Sequence, residues 1–388
     1  MRTSRHSWSP RHIYIVSILA SVLILFATLQ YTSIFYEALI SGDMHGMPGF
    51  ARIAVPDTFL YLDLFKIFSQ SDSIFVASNV KNSQGPVSLW YLANGNWYVI
   101  AAINSFLVFL SMVFVFRIIQ HFEIKFSKLS LTFIYIGITP ILVYYSIGSL
   151  KEIPSLLGLL GFFYYYLKKQ RIGWIFFTLV LIFFRYQLIF PITAFLVIDK
   201  IFRHHPLKIS IVCLLIIASL YPLISVLNIF SNNATEIFRA DQAYTIGALV
   251  EEVRNRIPFM SAVAVLVRVF QSIFEPILTL IKNPTFYESD GFSIYICYNF
   301  FQNLVLSPYW FLTIVGIIRA FFKRKQSNRD MDRIYAFLAC YMITVGGFSF
   351  ISHRYLFPIS GLILIGGLFE IHRQRSVRLQ LRVGLKPN

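Results

Sequence analysis

The chain of 388 residues is 57% apolar and only 13% charged, whereas an ordinary soluble domain is about 25% charged. Its mean hydropathy of +0.66 excludes a soluble enzyme. The formal net charge of +16 would favour nucleic-acid binding if the basic residues formed one surface. They are instead divided among clusters between apolar runs, which argues against nucleic acid as a partner.

The first apolar run has no charged residue between Ile13 and Tyr36 and is long enough to cross a membrane. No small-residue cleavage site follows it, and further apolar runs come later in the chain. We therefore expect a retained first helix, not a removed signal peptide. The pattern predicts a multi-pass protein of the inner (plasma) membrane.

Six basic clusters separate the apolar runs. Cytoplasmic loops collect Lys and Arg because these residues are unfavourable to translocate, so all six clusters are predicted to be cytoplasmic, together with both chain termini. Anionic lipids of the cytoplasmic face are their expected partner. The clusters cover residues 2–11, 117–128, 168–171, 200–208, 319–333 and 373–386.

This arrangement predicts an all-α, polytopic membrane helix bundle with about ten spans in one integral membrane domain, residues 1–388. A basic cytoplasmic tail follows at 372–388. The even number of spans returns the C-terminus to the side of the N-terminus. The predicted spans are 13–35, 98–116, 129–147, 153–167, 173–184, 187–199, 209–228, 303–320, 334–351 and 356–371.

Residues 173–199 allow two topologies. They form either two short helices in a hairpin or one straight span, in which case 258–281 also crosses the membrane. The straight span would put Arg185 near mid-membrane, at about 2.5 to 3.5 kcal/mol for such a residue. The hairpin helices would each reach only about 20 Å of a roughly 30 Å core. We prefer the hairpin because it leaves Arg185 in a loop.

Two long polar segments, 36–97 and 229–302, are predicted to be outer loops with interfacial helices. In the first, a turn-rich stretch precedes a short helix over 56–68, and a loop then leads to Trp90 and Trp97 at headgroup level. In the second, Arg268, Gln271 and Glu275 form one polar stripe on an apolar helix.

Four ionisable residues of the outer side combine an ordinary structural role with a candidate chemical one. Asp57 follows Pro56 at a helix start, where a carboxylate caps free N–H groups. Asp43 lies in a turn-forming Gly-Asp-Met-His-Gly sequence. Lys151 and Glu152 precede Pro154, as at many helix starts. Any of the three carboxylates could instead serve as a catalytic group.

Arg185 and Arg354 flank apolar segments on the side that is otherwise poor in Lys and Arg. A cation in such a position usually has a buried partner or an anionic ligand. An arginine can hold a phosphate through two parallel N–H groups, and a nearby carboxylate can accept the proton of an attacking hydroxyl. The residues are therefore typical of glycosyl transfer from a lipid phosphate.

Other kinds of site receive little support. Cys213, Cys297 and Cys340 have no C-x-x-C spacing, so neither a disulfide framework nor a metal cluster is predicted. The sequence has no G-x-G-x-x-G nucleotide motif and no Walker A motif. No cofactor is assigned, with a divalent cation left open.

At this point the layout resembles the GT-C fold membrane glycosyltransferases, which use polyprenyl-phosphate sugars. A long loop after the first span carries an acid before a juxtamembrane helix, similar to Pro56-Asp57-Thr58-Phe59-Leu60-Tyr61. Asn94-Gly-Asn-Trp97 looks like the exit of that loop, and Glu152 lies where a second acid often occurs. Ser352-His-Arg-Tyr-Leu-Phe-Pro358 resembles an Arg-Tyr-x-x-Pro entry to a late span.

This resemblance implies an enzyme of cell-surface polysaccharide synthesis that transfers a sugar from a polyprenyl-linked donor to a glycan or lipid acceptor at the outer face. It implies Asp57 as general base, Glu152 as a metal or acceptor contact, and Arg354 and Arg185 on the donor phosphate. Lys151 and Arg239 are further candidates for the phosphate, and Asp43 for the base.

Two alternatives remain open. The chain also resembles bacterial repeat-unit polymerases of surface polysaccharides, which would depend more on arginines, including Arg239 and Arg254. A transporter of lipid-linked saccharides belongs to another class and would favour internal symmetry, but the two halves of the chain have no convincing repeat. Protein partners are not indicated by the sequence.

Overall fold

Helices make up almost all of the structure, a computed structural model that describes residues 10–41, 56–69, 84–124, 142, 145–146, 151–201, 287–288, 291–292, 294–322, 328–348 and 356–382. Two-residue strands, Tyr287–Glu288 and Gly291–Phe292, form one antiparallel pair. Apart from this pair, the regular structure of the described residues is helical, which confirms the predicted helical class. The α-helices are α1 Pro10–Ser41, α2 Pro56–Ser69, α3 Gln84–Leu92, α4 Trp97–His121, α5 Glu152–Leu167, α6 Arg171–Arg185, α7 Ile189–Ile201, α8 Ile294–Phe322, α9 Arg329–Phe348 and α10 Ser360–Arg382.

Most predicted spans coincide with one of these helices. The exceptions are 209–228, which lies outside the described residues, and 129–147, of which only Leu142, Tyr145 and Ser146 are described and helical. Within the described ranges, three stretches are long and apolar enough to cross a membrane by length and composition. They are Trp97–His121, Arg171–Ile201 and Leu304–Phe322, and the second of them counts α6, the turn Tyr186–Leu188 and α7 as one stretch.

Helix α6 runs antiparallel to α5, and side chains of each helix lie over glycines of the other. Leu181 lies over Gly158, where an added Cβ would be 2.6 Å from its Cδ2 atom. One turn earlier on α6, Phe177 lies over Gly161. Small residues let apolar helices approach closely. The end of α6 is therefore close to the start of α5.

Helix α7 then reverses direction and runs beside α5 and α9. The ring of Phe195 packs against Phe163 with a centroid distance of 5.6 Å, and further along α7 Asp199 accepts a hydrogen bond from Tyr166. Helix α7 thus runs parallel to α5 and antiparallel to α6. The predicted hairpin at 173–199 is confirmed, and the straight helix is not what the chain forms.

The reversal occurs where the helical backbone is interrupted. Arg185 has φ −152° and ψ 74°, outside the helical region, and a 3₁₀ turn over Tyr186–Leu188 follows. Backbone hydrogen bonding is therefore broken between the two arms, and Arg185 lies at the tip of the hairpin.

The segment before α4 differs from the prediction. In place of a loop to Trp90, residues Gln84–Leu92 form α3. The side chains of Trp90 and Trp97 are buried against other helices, and their rings meet edge to face at 5.2 Å. A turn with positive φ at Asn94 (49°) and Gly95 (72°) joins α3 to α4. Each Trp thus buries a large apolar surface in the bundle.

Enlarging Gly161 is expected to destabilise the protein, because a Cβ there would lie 2.5 Å from the Phe177 ring. Gly161→Ala should cost about 1 to 3 kcal/mol, the usual range for overpacking. Thermal unfolding of the detergent-solubilised protein measures the effect. Leu179→Ala on the exposed face of α6 is the control and should change the melting temperature little. Equal melting temperatures for the two variants would contradict this packing.

Candidate functional site

The end of the bundle where α5 begins and α6 ends collects three of the predicted site residues. Glu152 is wholly buried in the first turn of α5, and Arg185 at the end of α6 is 2% exposed. Lys151, directly before α5, is partly buried. The antiparallel packing of α5 and α6 brings the three residues to this same end, which we call the tip end.

The start of α5 forms as the sequence predicts. The Lys151 carbonyl accepts hydrogen bonds from the Ser155 backbone N–H at 3.1 Å and from its hydroxyl at 2.6 Å. Pro154 fits the first turn because its missing N–H would have no helical partner there. Glu152 also meets the positive end of the helix dipole. Complete burial distinguishes it from an ordinary helix-capping acid, which stays in water.

Helix α2, which carries Asp57, is linked to the tip end through α3. Asp57 follows Pro56 in the first turn of α2, as predicted. The ring of Phe65 in α2 packs against Tyr91 in α3 with a centroid distance of 5.1 Å. At the start of α3, a Cβ on Gly85 would lie 2.8 Å from the Phe184 Cα atom, directly before Arg185. One continuous set of contacts thus joins α2 to the hairpin tip.

Three predicted site residues, Asp43, Arg239 and Arg354, lie outside the described residues. The same holds for most of the second predicted outer loop, 229–302. The next described residue after Arg354 is Leu356, which is buried and leads into α10.

Sequence reasoning missed a polar network at the opposite end of the bundle. Asp199 of α7 is buried and accepts hydrogen bonds from the Nε of Arg333, at 3.0 Å, and from the hydroxyl of Tyr166. The Arg333 guanidinium also lies over the Tyr166 ring, 5.6 Å from its centroid. Burial lowers the pKa of Arg333, but the hydrogen bond and the negative charge of Asp199 raise it by more than burial lowers it. The net shift of the pKa is upward, so the guanidinium stays charged.

The network continues to α4, and a second set of ion pairs lies between α8 and α10. Arg333 donates from Nη1 to Asp330 at 3.0 Å, and the other oxygen of Asp330 lies 2.9 Å from Nε2 of His121 at the end of α4. Nearby in the same bundle end, Glu370 of α10 accepts from Arg319 and Arg373. The pairs His121–Asp330, Arg333–Asp199 and Arg319–Glu370 join ends of different helices, and the sequence assigned all of these ends to the cytoplasm.

A recognisable signal accompanied these acids. Asp199, Asp330 and Glu370 lie within or beside the basic clusters at the ends of apolar runs. An acid in such a position, next to several cations, indicates an ion pair at the edge of the apolar region. Attention to the outer side alone left these pairs undetected.

A small apolar cavity of about 70 Å³ lies between α4, α5 and α10. Its wall includes Met112, Leu160 and Leu364, with hydroxyls at Ser111 and Ser360. Within the described ranges, no group of three His, Cys, Asp or Glu side chains could hold a metal ion. Glu152, which is predicted to contact a metal ion or the acceptor, lies within the described residues.

Comparison of the chain with protein-family models, curated proteins and solved structures found no match. Its function must therefore be inferred from its own residues.

The side of the membrane that the hairpin tip faces can be measured directly. Gln187 at the tip is exposed, so Gln187→Cys in a cysteine-free chain should react with a membrane-impermeant thiol reagent in intact cells. Ser327→Cys, in the basic cluster 319–333, should react only after lysis. The opposite pattern would reverse the predicted topology.

Proposed function

We propose that this protein is a membrane glycosyltransferase that moves a sugar from a polyprenyl-phosphate donor to a glycan or lipid acceptor in cell-surface polysaccharide synthesis. The reaction takes place at the outer face of the inner membrane, at the tip end. The chain crosses the membrane about ten times, with both termini in the cytoplasm beside anionic lipids.

The main support is the burial of Arg185 at a helix break at the same end as the buried Glu152. Arg185 has an interaction partner within the chain. A guanidinium has five N–H donors, so alongside that interaction it can hold a lipid phosphate through two parallel hydrogen bonds. Arg354, Arg239 and Lys151 are the other cations proposed to hold the donor.

The proposed chemistry then needs a base for the acceptor hydroxyl. Asp57 has this role in the proposal, with Asp43 as the second candidate. Its helix α2 packs against α3, which in turn contacts Phe184 directly before Arg185. Glu152 contacts the acceptor or a divalent cation. The carboxylate that accepts the hydroxyl proton and the arginines that hold the donor phosphate would act on opposite sides of the transferred sugar.

Mass spectrometry of polyprenyl-linked glycans in a deletion strain tests this function. A sugar transferase predicts accumulation of a lipid-linked glycan that lacks one sugar, restored by the intact gene. Loss of polymer length with complete repeat units would instead identify the repeat-unit polymerase. Accumulation of the complete lipid-linked glycan on the cytoplasmic side would identify the transporter.

A further inference from the structure

Helix α7 is apolar along nearly its whole length. Apart from Thr193, Asp199 and Lys200, its side chains are aliphatic or aromatic. In a bilayer, lipid chains solvate such a helix equally well at slightly different depths, so apolar burial alone does not fix its position along its axis. Close packing and directional polar contacts can fix it, and the polar contacts are the more specific of the two.

Residues of two neighbouring helices make such polar contacts with Asp199. Arg333 of α9 donates to Oδ1 at 3.0 Å, and Tyr166 of α5 donates to Oδ2. Asp330, one turn before Arg333, holds the guanidinium from its other side. The neighbouring ring contact of Phe195 with Phe337 of α9 is apolar and far less directional. Both carboxylate oxygens of Asp199 are thus held in place.

The opposite end of α7 is joined to Arg185 by only three residues. Because the backbone hydrogen bonding is broken at Arg185, α6 and α7 do not form one stiff rod. The glycine contacts of α6 fix one arm of the hairpin, and the contacts of Asp199 fix the other. Arg185 lies between the two arms.

We propose that Asp199, Arg333 and Tyr166 are positioning residues, which set the depth of α7 and thereby the position of Arg185 at the tip. Binding and transfer require reacting groups to be held closely, and a shift of about 1 Å can cost about 100-fold in rate. The effect on activity rests on the proposed role of Arg185, whereas the effect on tip position does not.

Labelling of Gln187→Cys tests the position of the tip. In a cysteine-free full-length chain in membrane vesicles, Asp199→Asn should change the rate of labelling by an impermeant thiol reagent about tenfold, as expected for loss of a charged hydrogen bond. Asp199→Glu keeps the charge and should retain most of the original rate. Asp63→Asn, at an exposed carboxylate of α2, is the control and should leave the rate unchanged.

A milder variant keeps the test informative if Asp199→Asn fails to insert. Tyr166→Phe removes one hydrogen bond to Asp199 without changing charge, and it should shift the labelling rate in the same direction by a smaller factor. Unchanged labelling in Tyr166→Phe and in every inserted Asp199 variant would overturn the proposal.

Surface glycan measured in a deletion strain separates this proposal from the proposed function. Altered labelling together with reduced glycan for Asp199→Asn, and recovery of both with Asp199→Glu, would support it in full. Altered labelling with normal glycan would support the positioning role of Asp199 and reject the link from tip position to activity. Loss of glycan with unaltered labelling would overturn the positioning role.

Discussion

Asp57→Asn is expected to lower glycosyl transfer by about 10²- to 10⁴-fold, the usual contribution of a general base. An amide cannot accept the proton of the attacking hydroxyl. Asn is nearly as good a helix cap as Asp, so the start of α2 should still form and the protein should insert normally. The measurement is restoration of surface glycan in a deletion strain, with protein amount checked in membranes.

Matched substitutions separate catalysis from a general effect of lost charge. Asp63→Asn, at an exposed position on the same helix, and Asp72→Asn should restore the glycan fully. Full restoration by Asp57→Asn would remove Asp57 from the site and make Asp43 the next carboxylate to test. A normal result for both acids would favour the arginine-dependent polymerase.

Arg185→Lys is expected to reduce activity about 10- to 100-fold although the charge is unchanged. A guanidinium binds phosphate through two parallel N–H groups, whereas an ammonium is a point charge, and hydrogen bonds to charged groups contribute about 1.5 to 3 kcal/mol each. Initial rates of sugar transfer in membranes check this result.

Arg171→Lys at the other end of α6 is the control. Arg171 is exposed and distant from the hairpin tip, so the activity of the Arg171→Lys variant should stay near that of the unchanged protein. Arg354→Lys should resemble Arg185→Lys if both arginines hold the same phosphate. Unreduced activity in Arg185→Lys and Arg185→Ala alike would exclude Arg185 from binding the donor.

The helices were predictable because apolar runs of sufficient length between basic clusters specify membrane helices with little dependence on tertiary packing. The hairpin at 173–199 was predictable from one residue, Arg185. The free-energy cost of placing its charge in the apolar region favours a break in the helix at this position. The start of α5 followed from Lys151, Glu152 and Pro154 by local rules alone. The burial of Glu152 could not be predicted from local rules, because it depends on which helices surround this residue.

The features that sequence reasoning missed are mostly determined by tertiary contacts. Helix α3 has only nine residues and contains Gly85, which local propensity disfavours in a helix, and it is supported by packing of Trp90 against Trp97. Arg333 and Tyr166, which both bind Asp199, are distant from it in sequence. Their contacts with Asp199 form only because α7 runs beside α5 and α9. A single sequence contains no direct information on such pairs.

The shortness of the two hairpin arms has a consequence for the lipid bilayer itself. Helices of 15 and 13 residues rise roughly 20 Å, well below the hydrocarbon thickness of about 30 Å. In a bilayer, so short a hairpin would either thin the membrane locally, which brings lipid headgroups toward Arg185, or leave a recess above the arginine that water fills. Longer acyl chains would deepen that recess and separate the headgroups from the guanidinium. The thickness of the host membrane would thereby act as a control on how easily an anionic lipid reaches the hairpin tip.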